Sequence, residues 1–377
     1  MEKIQEILDK GWIGFSLKYK VPKYIRRTMD DIGKCKTKAM GSHKYVCDEC
    51  GHEEITYNSC KNRSCPNCQA GERMRWIEAR EEELLNVKYY HVVFTIPSEL
   101  NMIALQNEKT MYKILFKASA ETMKELAGDK KYLGGEIGFF SVLHTWGQTL
   151  QYHPHVHLVV TGGGLNEIGK WVERGKDFFI PVKVLAKKFR GKFISYMKQE
   201  KLNYYGENKY LENPGSFENL INTLYSKNWV VYCKEPFKDA RCVIKYLGRY
   251  THRVAISNQR IKEVTESEVK FKYKDYKDGG KTKEMSISIE EFIYRFLVHI
   301  LPPKFMKIRY YGILGNKNKK EKLEKCKKLT KTKIKEKKEE EDGKKKKKPM
   351  IEILKKVLGD DFNLCPSCKK GHMIMVT

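Results

Sequence analysis

Gln151-Tyr152-His153-Pro154-His155-Val156-His157-Leu158-Val159-Val160 is the stretch on which the reading of this chain turns. Successive side chains of an extended strand point to opposite faces, so His155 and His157 project together while Val156, Leu158 and Val160 turn toward a core. Two imidazoles about 7 Å apart at their Cα atoms can converge on one metal ion; the same pair on a solvated edge strand would be inert. Working outward, Tyr90-His91-Val92-Val93-Phe94-Thr95-Ile96-Pro97 reads as a strand ended by its proline, and Gly138 to His144 as a neighbour of the histidine strand. Ser98 to Ala127 reads as one long helix with Ser98 as its N-cap, and Leu185 to Lys201 as another. Trp229 to Cys233 is a further strand.

The next informative segment is Lys245-Tyr246-Leu247-Gly248-Arg249-Tyr250-Thr251-His252-Arg253. If residues 238–253 are helical, Tyr246 and Tyr250 lie one turn apart on one face, with Lys245, Arg249, His252 and Arg253 around them. A phenol is a poor nucleophile near neutrality because its pKa is about 10, and nearby cations favour the phenolate. An aromatic pair that merely packs a helix on a sheet is the competing reading. Beyond it come a β-rich piece with a turn at Asp278-Gly279-Gly280 and a helix from Ile289 to Leu301, ended by Pro302-Pro303.

The chain of 377 residues carries 74 Lys and Arg against 47 Asp and Glu, a net charge of +27 that attracts polyanions, nucleic acid above all. It has no apolar run of about 18 residues and no signal-like amino terminus, so it is expected to be soluble and cytoplasmic. Eleven cysteines in such a chain point to metal rather than disulfides. Cys47-Asp48-Glu49-Cys50 and Cys65-Pro66-Asn67-Cys68 are two C-x2-C knuckles expected to form one tetrahedral Zn2+ site. Cys60 is an alternative ligand, and Cys35, His43 and His52 lie near enough in sequence for a ligand swap or a second ion. Residues 1–41 read as helical, as does Arg73 to Leu85. The Lys/Glu-rich stretch after Gly315 reads as a linker, and Cys365-Pro366-Ser367-Cys368 with His372 as half of a zinc site. Gly164 to Trp171 approaches a phosphate-binding loop but has Trp171 where a Ser or Thr should be.

Together, Phe94-Thr95-Ile96-Pro97, the histidine row and Tyr246 to Tyr250 resemble the motifs of HUH endonucleases. Cys60-Lys61-Asn62-Arg63-Ser64-Cys65-Pro66-Asn67-Cys68-Gln69, Leu143-His144-Thr145-Trp146-Gly147-Gln148 and Tyr246 to Asn258 are similar to those of the insertion-sequence-91 family of transposases. The resemblance implies an α+β fold, with a central antiparallel sheet flanked by helices and an amino-terminal helical, zinc-ribbon-like module. The organisation expected is a zinc-binding domain over 1–86, a catalytic domain over 87–315, a linker over 316–362 and a CxxC segment over 363–377.

The activity implied is rolling-circle transposition, in which Tyr246 or Tyr250 attacks single-stranded DNA to form a 5′-phosphotyrosine. Mg2+ or Mn2+ would sit on His155 and His157, with His144 or Gln148 as third ligand, and Zn2+ would be structural. The implied partners are single-stranded DNA at the element ends and target DNA, with Lys245, Arg249 and Arg253 as DNA-binding residues and, as an open alternative, further copies of the chain; the implied location is the prokaryotic cytoplasm, associated with the nucleoid. A zinc-containing DNA-binding protein without catalysis and a plasmid replication initiator or relaxase are the alternatives.

Overall fold

The computed structural model describes residues 2–174, 178, 180–234, 242, 244, 248, 255–332, 359, 361 and 363–376. In chain order the first elements are α1 (Lys3–Lys18), α2 (Lys23–Lys34), β1 (Ser42–Cys47), β2 (Glu53–Tyr57), α3 (Ala70–Glu81) and β3 (Tyr89–Thr95). Then come α4 (Asn101–Gln106), α5 (Glu108–Gly128), β4 (Glu136–Trp146), β5 (Tyr152–Leu165), β6 (Trp171–Glu173), α6 (Val182–Gln199), α7 (Pro214–Ser226) and β7 (Val231–Lys234). After them lie β8 (Ile261–Val264), β9 (Glu268–Asp275), β10 (Lys281–Ser288), α8 (Ile289–Leu297), β11 (Ile308–Gly312), α9 (Lys319–Leu329) and β12 (Met373–Met375). The architecture is α+β, as the resemblance implies. All its described strand pairs are antiparallel.

The chain divides into two compact units, one from residues 80–251 and 301–334, the other from 1–79, 252–300 and 335–377. The first is built on a sheet of order β11-β4-β5-β3-β7, with β6 folded back onto β5. Strand alternation sends Tyr90, Val92 and Phe94 of β3, Phe139 and Leu143 of β4, and Val156, Leu158 and Val160 of β5 into one core. Helices α5 and α6 close that face: Met111, Leu115, Phe116 and Met123 recur at helical spacing, and Phe94 meets Phe189 edge-on at 4.9 Å. Strands expected over 138–144 and 155–161 are longer, and Gly164 to Trp171 forms the β5–β6 hairpin, tied by Asn166 N–H donating to the Lys170 carbonyl at 2.9 Å.

The second unit holds α1, α2, β1, β2, most of α3, the β8–β10 meander, α8 and β12. Residues 255–300, expected with the catalytic domain, pack here instead. Gly11 of α1 lies so close to Ile289 and Ile293 that a Cβ there would collide with both, and the Ile4 N–H donates to Asn258 Oδ1 at 3.0 Å.

The single helix expected from Ser98 to Ala127 is broken. Ser98 opens a three-residue 3-10 turn, and the chain leaves helical geometry at Asn107, with φ −131° and ψ 41°. The Asn107 amide explains the break: it donates to the carbonyls of Ile103 (3.0 Å) and Asn203 (2.8 Å) and accepts the Asn203 N–H at 2.8 Å. Side-chain bonds of this kind compete with the helical ladder. Helix α7 and strand β11 add to the elements expected from the sequence. α7 does carry a local start signal, Asn213 accepting from the Gly215 and Ser216 N–H groups with Pro214 in the first turn. Among the described residues, no helix is long and apolar enough to cross a membrane.

Replacing Asn107 by Ala leaves the Asn203 N–H and carbonyl without their partner in a half-buried setting, so Asn107→Ala should lower stability by about 1–3 kcal/mol. A urea titration reads this as a lower midpoint at unchanged slope, and an unchanged midpoint would show that the break is set by something other than the amide.

Candidate metal centre

Opposite the core, the sheet presents a face made of histidines. The β4–β5 register puts His144 directly across from His155 and Val142 across from His157, while β3 places His91 across from Val159. His144, His155 and His157 bring their ligand nitrogens within 4.8 Å of one another. The spacing that puts His155 and His157 on one face comes from the strand itself; His144 arrives only through pairing. Of the two third ligands expected, His144 joins the group. Gln148 lies in the β4–β5 turn, where Leu150 takes a positive φ of 64°.

Two of the rings are oriented from outside the group. His155 Nδ1 lies 2.6 Å from the His153 carbonyl, which can only accept, so the proton sits on Nδ1 and Nε2 is free to bind a cation. His157 Nδ1 lies 2.7 Å from His91 Nε2, with the rings stacked at 5.0 Å, so His91 orients the His157 ring. The sequence pattern places His91 on a strand without marking it as part of the site. Its signal was its place two residues ahead of Val93 and four ahead of Thr95, on a strand whose partner was unknown. His153 supplies its carbonyl rather than its ring.

Burial keeps these imidazoles neutral. It pushes His155 down to about 4 and His144 and His157 well below the usual 6.5, and repulsion from neighbouring rings acts in the same direction. The Lys307 charge adds to the effect on His144 and His157, which places a cation beside the group. Lys307 Nζ also lies 4.8 Å from the ring of Trp146, itself stacked on His144 at 4.9 Å. Tyr246, Tyr250, Lys245, Arg249 and Arg253 lie outside the described residues.

The cysteines assemble differently from the expected single site. Cys65 and Cys68 join Cys35 and Cys60, while Cys47 and Cys50 join Cys365 and Cys368. The two knuckles are thus divided between two groups, and Cys60 belongs to one of them. His43, His52 and His372 are in neither. The first group is held by the helices and by its own loop. Gln5 of α1 donates to the Cys35 carbonyl at 2.6 Å, Gln69 donates to the Asn62 carbonyl at 2.7 Å, and Asn62 donates to Asp31 at 2.9 Å. Lys61 takes a positive φ of 53° and the Cys60 N–H donates to Cys35 Sγ at 3.4 Å. Hydrogen bonding with Cys60 lowers the Cys35 thiol from its ordinary value. Among the described residues, Cys233 and Cys326 enter no such group.

The sequence matches the family described as "Transposase zinc-binding domain" over residues 7–96 and the family described as "Putative transposase" over residues 138–322. The protein named "Putative transposase y4qJ" of Sinorhizobium fredii is 42% identical over 356 residues, covering 93% of this chain and 88% of the relative. The "Transposase for insertion sequence element IS801" of Pseudomonas savastanoi pv. phaseolicola is 29% identical over 289 residues, covering 75% of this chain and 68% of the relative. An antiparallel α+β sheet and cysteine groups fitted for structural zinc therefore belong here to a transposase. The chain is a member of the insertion-sequence-91 family of transposases.

Because burial lowers the imidazole pKa values, the unfolded chain takes up protons below 6.5 that the folded chain refuses until about 4 in the case of His155. The metal-free protein should accordingly hold this contribution to stability above pH 6.5 and lose it as pH falls toward 4. Urea titrations across that window test the sign, and stability that rises on acidification would contradict the burial of the rings.

Proposed function

We propose that this transposase cuts and rejoins single-stranded DNA at the ends of its element through a covalent 5′-phosphotyrosine, the HUH type of rolling-circle transposition. The observation that carries the reading is the convergence of three neutral imidazoles, His144, His155 and His157, on the face of an antiparallel sheet. Among the described residues no carboxylate joins the group, and three imidazoles suit Mn2+ better than Mg2+, which prefers oxygen donors. A divalent ion held there would place positive charge beside a non-bridging phosphate oxygen.

The chain's own residues account for the remaining parts. His91 orients His157, and the His153 carbonyl fixes His155. Lys307 offers a fixed cation to a DNA phosphate, and half-buried Trp146 offers a face on which a base can stack. Tyr246 or Tyr250 is the nucleophile: its phenolic oxygen bonds to phosphorus, the phenolic proton leaves, and the departing 3′-oxygen takes up a proton to become a free hydroxyl. A phosphodiester replaces a phosphodiester, so the step is nearly isoenergetic and reverses without ATP. The second tyrosine permits a second covalent link before the first is released. Lys245, Arg249 and Arg253 contact the backbone, and the zinc module reads the element ends. The relative from Pseudomonas savastanoi, named for the element it serves, supports element ends as the substrate.

The test is incubation with Mn2+ and a single-stranded oligonucleotide carrying the element's terminus, followed by denaturing gels and mass spectrometry. A protein–DNA adduct on the peptide spanning Tyr246 and Tyr250 is expected, absent when both tyrosines are replaced by Phe and when His155 and His157 are both replaced by Ala. His91→Phe should weaken Mn2+ binding about 10–100-fold while leaving the zinc content unchanged. An adduct that survives the double Tyr→Phe replacement would place the nucleophile elsewhere, and none with the parent protein would leave a DNA-binding module without catalysis.

A further inference from the structure

We infer that Cys47, Cys50, Cys365 and Cys368 form a second structural zinc site, which fastens the carboxy-terminal segment to the amino-terminal β-ribbon. The zinc-binding match ends at residue 96, well before the second pair of these thiols. Four Sγ atoms from two C-x2-C knuckles lie within 4.8 Å of one another, with Cys47 to Cys368 at 3.8 Å and Cys50 to Cys365 at 3.7 Å. A tetrahedron with Zn–S bonds of about 2.3 Å has an edge of about 3.8 Å. A disulfide needs about 2.05 Å. The contacts therefore have the length that a shared tetrahedral ion imposes. The group of Cys35, Cys60, Cys65 and Cys68 shows the same 3.8 Å spacing between Cys60 and Cys68.

The backbone is arranged around the same point. β12 pairs with β1 so that Tyr45 faces Met375 and Cys47 faces Met373, and the Asp48 carboxylate accepts the His372 N–H at 2.7 Å. Both knuckles turn through left-handed positions, Gly51 with φ 68° and Lys369 with φ 56°. The Gly371 N–H donates to Cys368 Sγ at 3.4 Å, and a Cβ on Gly371 would press into Cys47 Sγ and Asp48, so the approach requires glycine.

Hydrophobic burial does not hold this segment. Among its described residues from 359 onward only Cys365 and Gly371 are buried, and Ile374, Met375 and Val376 each keep more than half of their surface exposed. A three-residue strand with its apolar side chains in solvent has little to keep it docked. A tetrathiolate ion supplies what the packing lacks, because metal affinity in such small modules is folding free energy. The closure joins parts of one chain more than three hundred residues apart, as Cys47 and Cys368 are 321 positions apart.

Co2+ substitution of the full-length protein tests the assignment, since thiolate-to-cobalt charge transfer distinguishes these sites from the histidine group. The wild-type chain should bind two thiolate-ligated ions. Replacing Cys365 and Cys368 by Ser should reduce the number to one, replacing Cys47 and Cys50 should do the same, and combining all four should remove no further ion. Two ions retained after loss of Cys365 and Cys368, or only one in the wild type, would overturn the assignment. Should the variants fail to fold, differential alkylation of the zinc-loaded wild-type protein decides. Cys47, Cys50, Cys365 and Cys368 should be protected together while exposed Cys242 reacts, and a chelator should release all four in one phase. Alkylation of Cys365 and Cys368 as fast as Cys242 would sink the site. None of these readouts involves DNA cleavage, so the result stands apart from the proposed catalytic reading.

Discussion

The antiparallel register of β4 on β5 is the constraint from which the site follows. With His144 opposite His155 and Val142 opposite His157, one face of the sheet gathers imidazoles while Phe139, Leu143, Val156 and Leu158 fill the core on the other. Side chains alternate with a period of two, so a slip of one residue would carry the histidines into the apolar core and Val156 and Leu158 onto the opposite face. Both faces therefore penalise the same error. The irregularity between His144 and Trp146 comes only after the critical pair, so it bends the strand without disturbing it.

Burial then sets the chemistry. Rings excluded from water are held neutral, the state in which an imidazole donates its lone pair; the His153 carbonyl keeps the proton on His155 Nδ1, and His91 orients His157. Lys307 could not serve as a ligand itself, yet its charge both disfavours protonation of His144 and His157 and suits an anionic substrate. The proposed strand transfer needs both properties in one place.

The other unit solves its stability problem by different means. Its helical part has an ordinary core, with Ile4, Ile7, Trp12 and Phe15 of α1 joined by Phe292 and Phe296 of α8. Around β1 and β2, however, apolar side chains are few, and cysteine groups stand where a core would otherwise be. Small modules commonly replace a missing core with metal or covalent staples.

Local patterns were legible in the sequence because they depend only on neighbours along the chain. The alternation of His155 and His157 with Val156 and Leu158, the strand ended by Pro97, and the turn geometry of each C-x2-C pair are of this kind. The choice of partners was not. A knuckle brings two thiols together, but Cys47 and Cys50 find theirs at Cys365 and Cys368, and Cys65 and Cys68 theirs at Cys35 and Cys60, through the paths of β1, β12 and the helices. His91 and Lys307 likewise reach the histidine face only by cross-strand placement, and Asn107 breaks a strong helical pattern through bonds to Asn203, far along the chain. Sequence by itself determined which residue types and local conformations were available. Only the tertiary structure decided which of them meet, because strand register and long-range packing are settled by the burial of whole faces and not by any single segment.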